Sequence, residues 1–548
     1  MSGLVIHHRV AQRVPGRAPA HGGVPGYGRP ALRLPTGKDR LGALPSADCE
    51  GRPVTTFHST RSTTDSLTAK QAIRMGLAAD GGLFVTDALG ERRIDVAGLV
   101  GRPYQDIAVE VLGVLLPDFT RDELRACVGE AYGPQWADPA VTPLRPLGED
   151  WVLELFHGPT CAFKDVALQI LPRFMARTTP ADGDPDERIM IVTATSGDTG
   201  KAALAGFADA PGTGITVFYP QGKVSQVQEL QMTTQTGSNV TVCAVEGNFD
   251  DAQSAVKRIF GDRGLAGRLA SDAHVRLSSA NSINVGRLVP QVVYYFSAYV
   301  QLVERGAIAP GDEVEFCVPT GNFGDILAGY YARLLGLPVK HLIVASDRNN
   351  VLFDFLTTGT YNRRRPFYQT ISPSMDILVS SNLERMLYYM ADKDTRLIQM
   401  LMNDLSQWGA YEVPEDLLAR IRQLFGCGWA DEDQVRASIR ECWERHRYVI
   451  DPHTACGYFV MGRMPRDPDT PRVLLSTASP YKFPRVVNES LGLDASGTDF
   501  ACMDVLARET GTAAPASLRG LETAAVRFDA VTGIDGMAGV VERAAAAL

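Results

Sequence analysis

Short apolar runs rich in β-branched residues alternate with helical stretches from about residue 146 onward, and this alternation constrains the fold more than any other feature. At one joint, strand-like residues 188–194 (RIMIVTA) lead into the turn TSGDTG and a helix of small residues. At another, residues 314–318 (VEFCV) lead into the turn PTGNFG and a second helix. The pattern predicts an α/β protein with a mainly parallel sheet, whose ligands bind at the carboxyl ends of strands, where both turns lie.

The length of 548 residues predicts about two to four domains, because one domain usually holds roughly 100 to 200 residues. Residues 1–52 are rich in Gly, Pro, Ala and Arg and predict a disordered extension. A transit peptide is the alternative, because the segment is basic and acid-poor. We expect, in chain order, the extension (1–52), an N-terminal subdomain (53–145), an α/β domain with the first turn (146–300), an α/β domain with the second turn (301–495) and a C-terminal segment (496–548).

Charge, hydropathy and cysteine usage exclude several classes of function. The formal charge of −9 opposes binding to a nucleic-acid backbone. No run reaches the roughly 18 uncharged apolar residues that a membrane helix needs. The nine cysteines are scattered and never form a CxxC pair, so neither a disulfide framework nor a metal site is predicted. We therefore expect a cytoplasmic protein with no nucleic-acid, membrane or metal partner.

Lys164 is the residue that most strongly suggests catalysis, because it lies among small, apolar and aromatic neighbours in the stretch FHGPTCAFKD. Burial of an ammonium lowers its pKa toward the range in which the free amine can attack a carbonyl group. The chemistry that this stretch predicts is the formation of a Schiff base. The alternative is a lysine whose stem lies on apolar surface while its ammonium reaches water.

The second turn, Gly321-Asn322-Phe323-Gly324-Asp325, predicts a phosphate site. Its amides converge at the positive end of a helix dipole, and its two glycines let the backbone approach phosphate oxygens. The carboxylate of Asp325 would repel a phosphate, so we expect it to act as a cap or as a hydrogen-bond acceptor that orders the loop. The alternative is an ordinary capped helix start.

The first turn offers a similar group of amides and hydroxyls, suited to a carboxylate or a second phosphate. A P-loop would need four residues between its glycine and its Gly-Lys pair, whereas Gly197 and Gly200 enclose only two. The turn also lacks the GxGxxG pattern of dinucleotide sites, so ATPase and dehydrogenase functions are disfavoured. A lysine that can form an imine and a glycine loop for a phosphate are together what pyridoxal 5'-phosphate requires.

Eight motifs, found in the same chain order, resemble those of threonine synthase in its fungal and enterobacterial-like branch. The resemblance covers roughly residues 55–495 and implies a fold-type II pyridoxal-phosphate enzyme, similar to tryptophan synthase β, with two α/β domains and an N-terminal subdomain. The motifs are FHGPTCAFKDVALQ (156–169), TATSGDTGKAA (193–203), YPQGKVSQVQELQM (219–232), NSINVGRLVPQ (281–291), PTGNFGDILAG (319–329), PSMDILVSSNLER (373–385), DPHTACG (451–457) and STASPYKF (476–483).

The resemblance implies a lyase that converts O-phospho-L-homoserine and water to L-threonine and phosphate by γ-elimination and β-addition, with pyridoxal 5'-phosphate as cofactor. Lys164 would form a Schiff base with the cofactor and move protons at Cα and Cβ of the substrate. Thr477 matches the residue whose hydroxyl meets the pyridine nitrogen. The phosphate loop of the cofactor would comprise Gly321, Asn322, Phe323, Gly324 and Asp325.

A phosphorylated amino-acid substrate needs a site for its carboxylate and polar or cationic groups for the leaving phosphate. Arginine suits a phosphate bidentately, and lysine acts as a point charge. Each candidate could instead be a surface or helix-face residue. The candidates are Ser196, Asp198 and Thr199 for the carboxylate, and Lys223, Asn281, Asn284 and Arg287 for the phosphate.

Several positions depart from the family pattern near the expected substrate side, and they leave the substrate open. A paralogue that acts on a phosphonate or another amino-acid analogue is one alternative, and a phospho-lyase that releases 2-oxobutanoate is another. A cofactor-loaded binding or regulatory protein is a third, outside catalysis. For the assembly we expect a monomer or a homodimer. The departing positions are Cys161, Lys201, Val285, Gly286, Ser479 and Tyr481.

Overall fold

The computed structural model describes residues 56–178, 184, 186–195 and 197–548. The predictions for residues 1–52 and for Ser196 therefore lie outside the described residues. Strands are numbered in chain order: β1 (Phe57–Ser59), β2 (Ser62–Leu67), β3 (Phe84–Thr86), β4 (Leu144–Leu147), β5 (Asp150–Glu154), β6 (Arg188–Ala194), β7 (Thr213–Pro220), β8 (Val240–Glu246), β9 (Val275–Ser278), β10 (Val314–Pro319), β11 (Val339–Ser346), β12 (Thr360–Asn362), β13 (Ala410–Glu412), β14 (Phe425–Trp429), β15 (Arg472–Ser476) and β16 (Val531–Gly533).

Helices are numbered in the same way: α1 (Ala69–Met75), α2 (Tyr104–Leu115), α3 (Arg121–Ala131), α4 (Lys164–Leu168), α5 (Leu171–Met175), α6 (Asp198–Phe207), α7 (Gln226–Thr233), α8 (Phe249–Gly261), α9 (Arg263–Ala273), α10 (Val285–Glu304), α11 (Gly324–Leu334), α12 (Val351–Thr358), α13 (Leu383–Met390), α14 (Thr395–Trp408), α15 (Glu415–Leu424), α16 (Glu432–His446), α17 (Pro452–Met461), α18 (Pro484–Leu491), α19 (Asp499–Thr510), α20 (Ala516–Arg519) and α21 (Met537–Ala546).

Two sheets form the scaffold of the site. The first has the order β16-β8-β7-β6-β9, and all its strand pairs are parallel. The second has the order β14-β11-β10-β15-β5-β4 and is parallel except for the β4–β5 pair at its edge. Every residue of β7 and of β10 is buried, as expected for strands covered by helices on both faces. The α/β architecture predicted from the alternating pattern is confirmed.

The smaller sheets and the ends of the chain complete these layers. The strands β2-β1-β3 form an antiparallel sheet near the start of the described chain, and β12 pairs with β13. Strand β16, near the C-terminus, pairs in parallel with β8 at residues Val531 and Ala244, so the last part of the chain extends the first sheet. Strands β4 and β5 join the second sheet although the rest of that sheet comes after residue 313.

Helix α10 is the central element of the core. Its side chains Leu288, Tyr295 and Phe296 have no exposed surface and belong to a hydrophobic cluster that also contains Ile191 of β6 and Phe316 of β10. A helix that is apolar around most of its circumference is stable only when other elements surround it. Across the described residues, no helix combines the length and apolarity needed to cross a membrane.

The two glycine turns lie where the pattern places them, at the carboxyl ends of β6 and β10. Helix α6 begins at Asp198 and α11 at Gly324, so each helix starts inside its turn and slightly before the predicted positions, 201 and 325. The turn residues themselves form the first helical turn, which directs the amino-terminal end of each helix at the space between the sheets. Helix α4, which starts at Lys164, faces the same space.

Candidate active site

A cavity of about 290 Å³ lies between the carboxyl ends of the two sheets. Its wall contains residues from α4, from both glycine turns, from the start of α10 and from the end of β15. Residues far apart in the sequence therefore meet at one place. The sequence-predicted residues that line the cavity are Lys164, Asp198, Thr199, Asn281, Arg287, Gly321, Asn322, Gly324, Asp325 and Thr477.

Lys164 is buried in the cavity wall, and only 8% of its surface is exposed. Its Nζ lies 4.8 Å from the centre of the Phe163 ring and 4.0 Å from Oδ2 of Asp198. Burial lowers the pKa of Lys164 to about 8; Asp198 opposes this shift, whereas Lys482 adds to it. About a tenth of the side chain is therefore free amine at pH 7, far more than for an ordinary lysine, and the free amine is the form that a nucleophile requires.

The segment that carries Lys164 is tied to the end of β15. The amide of Phe163 donates to the carbonyl of Thr477 at 2.8 Å, and the amide of Ser479 donates to the carbonyl of Cys161 at 3.0 Å. Cys161 has a left-handed backbone conformation, with φ of 58°, which allows this close turn. The lysine and the hydroxyl residue Thr477 are thus held on one face of the cavity.

The second glycine turn is shaped by close backbone approach. A Cβ on Gly321 would lie 3.1 Å from the carbonyl oxygen of Met375, and one on Gly324 would lie 3.3 Å from Nδ2 of Asn382. Phe323 has φ of 62°, and its ring packs against Phe425 rather than lining the cavity. The loop therefore presents backbone and small residues to the cavity at the start of α11, a geometry suited to an anion.

Asp325 orders this loop. Its Oδ1 accepts a hydrogen bond from the hydroxyl of Thr320 and another, at 3.0 Å, from the amide of Ile326. Burial raises the pKa of Asp325 to about 6, although the bond from Thr320 opposes the shift. These contacts order the loop at the start of α11.

Some backbone amides of the first glycine turn are hydrogen-bonded within the turn itself. The hydroxyl of Thr195 accepts hydrogen bonds from the amides of Gly197 at 3.0 Å and of Gly200 at 2.9 Å. Gly197 has φ of 140°, a conformation that side chains rarely adopt. The turn therefore holds Asp198 and Thr199 in the cavity wall, and two of its backbone amides already have a hydrogen-bond acceptor.

Arg287 is a buried cation that has no carboxylate partner in the part of the chain that the structure describes. One Nη1 bond, at 2.7 Å, goes to the carbonyl of Ala280, and within the described chain Nε has no hydrogen-bond partner. Burial lowers the pKa of Arg287 to about 10. Burying a guanidinium without an anionic partner costs free energy, and an anion bound in the cavity would offset that cost. The position is therefore suited to a phosphate or carboxylate of a ligand.

Two predicted site residues lie elsewhere. Lys223 is exposed on a turn and does not line the cavity. Asn284 is fully buried, donates to the carbonyls of Ile73 and Ser279, and caps α10 by accepting the amide of Gly286. Its polar groups hold the start of α10, so the geometry favours a structural role for Asn284.

The positions that depart from the family pattern lie behind the cavity wall. Ser479 caps a short turn through the amide of Tyr481, whose hydroxyl contacts Thr512 at 2.7 Å. The thiol of Cys161 lies 3.4 Å from the hydroxyl of Ser517. Among the described residues that line the cavity, none belongs to the departing set Cys161, Lys201, Val285, Gly286, Ser479 and Tyr481.

Sequence reasoning missed polar residues that surround Asp198. The hydroxyl of Ser374 donates to Oδ2 of Asp198 at 2.9 Å, and the ammonium of Lys482 lies 2.6 Å from Oδ1. His453 lines the same cavity; its Nε2 accepts the amide of Ser374, so its hydrogen is on Nδ1, which donates to Asp451. The sequence does contain a signal for these residues, because each is a polar residue among small or apolar ones within one of the eight motifs.

The residues present fit pyridoxal 5'-phosphate. An amine of lowered pKa matches its aldehyde, a glycine turn at a helix start matches its phosphate, and the hydroxyl of Thr477 matches its ring nitrogen. The volume of about 290 Å³ is near the lower end of cofactor-sized cavities, which span roughly 300 to 1,000 Å³. Lys164, Gly321, Gly324 and Thr477 are therefore the residues that would hold it.

Comparisons with known proteins agree with this arrangement. Residues 56–132 match the family model "Threonine synthase N terminus", residues 140–476 match "Pyridoxal-phosphate dependent enzyme", and residues 454–540 match "Threonine synthase, C-terminal". A threonine synthase of Pseudomonas aeruginosa is 41% identical over 437 residues, which cover 79% of this chain and 90% of that protein.

The human protein "Threonine synthase-like 1" is 40% identical over 459 residues, which cover 81% of this chain. The chain spans only 59% of the length of that relative. Among solved structures, a pyridoxal-phosphate-bound threonine synthase from Brucella melitensis superposes with a TM-score of 0.79 at 37% identity, covering 90% of this chain and 99% of the other.

Proposed function

Since the chain belongs to the threonine synthase family, we propose that it converts O-phospho-L-homoserine and water to L-threonine and inorganic phosphate. The same similarities confirm two predictions from the sequence, the fold-type II architecture and the threonine synthase family. The observation that carries the proposal is one cavity that holds a buried amine of lowered pKa, Lys164, together with an unpaired buried guanidinium, Arg287. The amine would hold the cofactor through its aldehyde, and the guanidinium would bind the phosphate of the substrate.

The cofactor is pyridoxal 5'-phosphate, which when bound withdraws electrons from the substrate and so makes its Cα and Cβ protons removable. In the proposed reaction Lys164 would hold the cofactor, and its Nζ atom, once free, would remove the proton from Cα of the substrate and help to remove one from Cβ. The Nζ atom can do this because burial keeps part of the amine unprotonated. Its turn is anchored to β15 through Phe163, which fixes its position.

Arg287 is proposed to bind the phosphate of the substrate and to hold it as it leaves Cγ. Its guanidinium is already dehydrated in the cavity wall, so the energetic cost of its burial is offset when an anion binds. Asn281 and Thr199 line the same cavity and supply an amide and a hydroxyl for further substrate oxygens. Water is largely kept from the amine, since Lys164 and Thr477 are both buried.

Product identification tests the proposal. Purified protein supplied with pyridoxal 5'-phosphate and O-phospho-L-homoserine should form threonine and phosphate in equal amounts. Lys164→Ala should lower the rate by at least about 10³-fold, because it removes the group that bonds the cofactor and moves the protons. Lys223→Ala serves as the matched control, because Lys223 is an exposed lysine outside the cavity, and it should retain wild-type turnover.

A second candidate function is favoured by the similarity to threonine synthase-like 1 proteins, of which the chain spans only part. Such a paralogue would act on a phosphonate or other amino-acid analogue, or would release 2-oxobutanoate and phosphate without adding water at Cβ. Accumulation of 2-oxobutanoate in place of threonine, or turnover of a phosphonate amino acid alone, would establish it. Cofactor binding without any turnover would instead indicate a binding or regulatory protein.

The proposal also includes a cytoplasmic location and an assembly that is a monomer or a homodimer. The cysteines within the described chain are all free thiols, which agrees with a reducing compartment. Sedimentation of the purified protein would determine its assembly.

A further inference from the structure

Lys482 is a second buried lysine next to the site, at the end of the short helical turn Pro480–Lys482. Its side chain has no exposed surface. The Nζ atom lies 2.6 Å from Oδ1 of Asp198 and donates to the carbonyl of Thr160 at 3.0 Å. A lysine without access to water needs a fixed counter-charge, and Asp198 supplies it.

Both oxygens of Asp198 are occupied by partners other than Lys164. Oδ1 also accepts from Nε2 of Gln228 at 3.2 Å, and Oδ2 accepts from the hydroxyl of Ser374 at 2.9 Å. Nζ of Lys164 lies 4.0 Å from Oδ2, which is too far for a hydrogen bond. The carboxylate is therefore committed to Lys482, although two lysines lie beside it.

Other charged groups face this pair from the neighbouring elements. Arg287 of α10, like Lys482, lowers the pKa of Lys164, whereas Asp325 of α11 raises it. Lys164 of α4 acts on Asp198 as a charge, and the titratable His453 of α17, whose Nε2 accepts the amide of Ser374, lies near it. Burial alone would raise the pKa of Asp198, but Lys482 and Lys164 outweigh it and hold that pKa well below its usual range.

A lone buried carboxylate next to Lys164 would stabilise the ammonium form and withhold the amine from reaction. Given the role of Lys164 in the proposed function, on which this inference rests, we propose that Lys482 is a positioning residue, the permanent counter-charge of Asp198, which leaves Lys164 without a hydrogen bond to that carboxylate and therefore reactive. Lys482 does not line the cavity, so it acts through Asp198 rather than on the substrate.

The test is the pH dependence of cofactor attachment to the full-length chain after the cofactor has been removed. Pyridoxal 5'-phosphate is added between about pH 6 and pH 10, the range in which an amine of pKa about 8 titrates, and the visible absorbance band is followed. Borohydride trapping and mass spectrometry confirm that the modified residue is Lys164. Attachment should proceed faster as pH rises, with a midpoint that reports the protonation of Lys164.

In Lys482→Met and Lys482→Gln the midpoint should move up by about one pH unit or more, because a positive neighbour is lost and Asp198 becomes free to pair with Lys164. Lys482→Gln can keep hydrogen bonds to Asp198 and Thr160 without the charge, so it remains informative if Lys482→Met folds poorly. Lys482→Arg keeps the charge and should retain the wild-type midpoint. Asp198→Asn removes the attracting charge and should move the midpoint down.

An unchanged midpoint in both Lys482→Met and Lys482→Gln, with Lys164 still modified, would overturn the inference and leave the proposed function intact. If wild-type Lys164 is not modified at any pH, the proposed function fails and the inference fails with it. An upward shift in the neutral variants, together with a normal midpoint in Lys482→Arg, supports the inference.

Discussion

The amide of Phe163 donates to the carbonyl of Thr477 at 2.8 Å, which joins the residue before Lys164 to the end of β15. Phe163 and Thr477 are more than 300 residues apart, yet this bond places Lys164 and the Thr477 hydroxyl in one cavity wall. The distance between the two residues is therefore set by backbone pairing rather than by flexible side chains.

Thr477→Val should weaken cofactor binding about fivefold while leaving the backbone bond to Phe163 in place. The change replaces a hydroxyl with a methyl group of similar size, and one hydrogen bond contributes about 1 kcal/mol. Fluorescence titration with pyridoxal 5'-phosphate measures the effect. Thr512→Val, whose hydroxyl contacts Tyr481 at an exposed position outside the cavity, should bind the cofactor with wild-type affinity. Equal affinities of the two variants would contradict the assignment.

Gly321→Ala should destabilise the protein by about 1 to 3 kcal/mol and weaken cofactor binding. The new Cβ would lie 3.1 Å from both Cγ1 of Ile377 and the carbonyl oxygen of Met375, so the glycine turn must shift. Urea unfolding and cofactor titration measure the two effects. Gly129→Ala in α3 has no atom within 4 Å of its new Cβ and should instead be stabilised by up to about 1 kcal/mol.

Arg287→Met should raise the KM for the phosphorylated substrate by about 10- to 100-fold, because hydrogen bonds to charged groups contribute about 1.5 to 3 kcal/mol. The same change should alter the thermal stability of the ligand-free protein little, since the lost bond to the carbonyl of Ala280 is offset by removal of a buried cation that has no carboxylate partner among the described residues. Steady-state kinetics and thermal unfolding measure the two effects. A marked loss of stability without a change in KM would show that Arg287 is only structural.

We expect the free energy of unfolding to depend on pH because the carboxyl groups of Asp347 and Asp376 interact. Burial, reinforced by the hydrogen bond and charge of Asp347, raises the pKa of Asp376 to about 8, far above its value in an unfolded chain. The folded state then holds a proton that the unfolded state releases, so stability falls as pH rises from about 4 to about 8, by at most about 1.4 kcal/mol per pH unit.

Asp376→Asn removes this titration and should flatten the decline, as measured by urea unfolding across the pH range. Asp122→Asn, at a carboxylate that is 93% exposed, provides the control and should keep the wild-type slope. A slope in Asp376→Asn as steep as that of the wild type would mean that the pair does not share a proton.

Much of the fold and part of the candidate site were predictable because they depend on local chemistry. The strand, glycine turn and helix around Gly321 follow from β-branched residues, conformational freedom and helix propensity within a short segment. Lys164 stood out because a lysine among apolar residues is costly unless it is used. Even so, α6 begins three residues and α11 one residue before its predicted start, because the turn residues themselves adopt the first helical turn.

The substrate-side residues were less predictable, because their roles depend on where each side chain points. Asn284 and Arg287 lie on the same short stretch, and both are buried. The side chain of Asn284 forms hydrogen bonds that hold the start of α10, whereas Nε of Arg287 has no hydrogen-bond partner among the described residues. Lys223 stood in a recognised motif and lies in solvent, outside the cavity wall. Side-chain direction is decided by packing between elements, which a linear pattern does not contain.

The sequence by itself determined the parallel α/β scaffold, the two glycine turns and the presence of one lysine suited to bond a cofactor, since each follows from the properties of neighbouring residues. Only the tertiary structure decided that Lys482 neutralises Asp198 beside Lys164, because that ion pair joins segments far apart in the chain. The reason is physical: conformational preference acts over a few residues, whereas the pKa of a buried group depends on every charge that the folded chain brings near it.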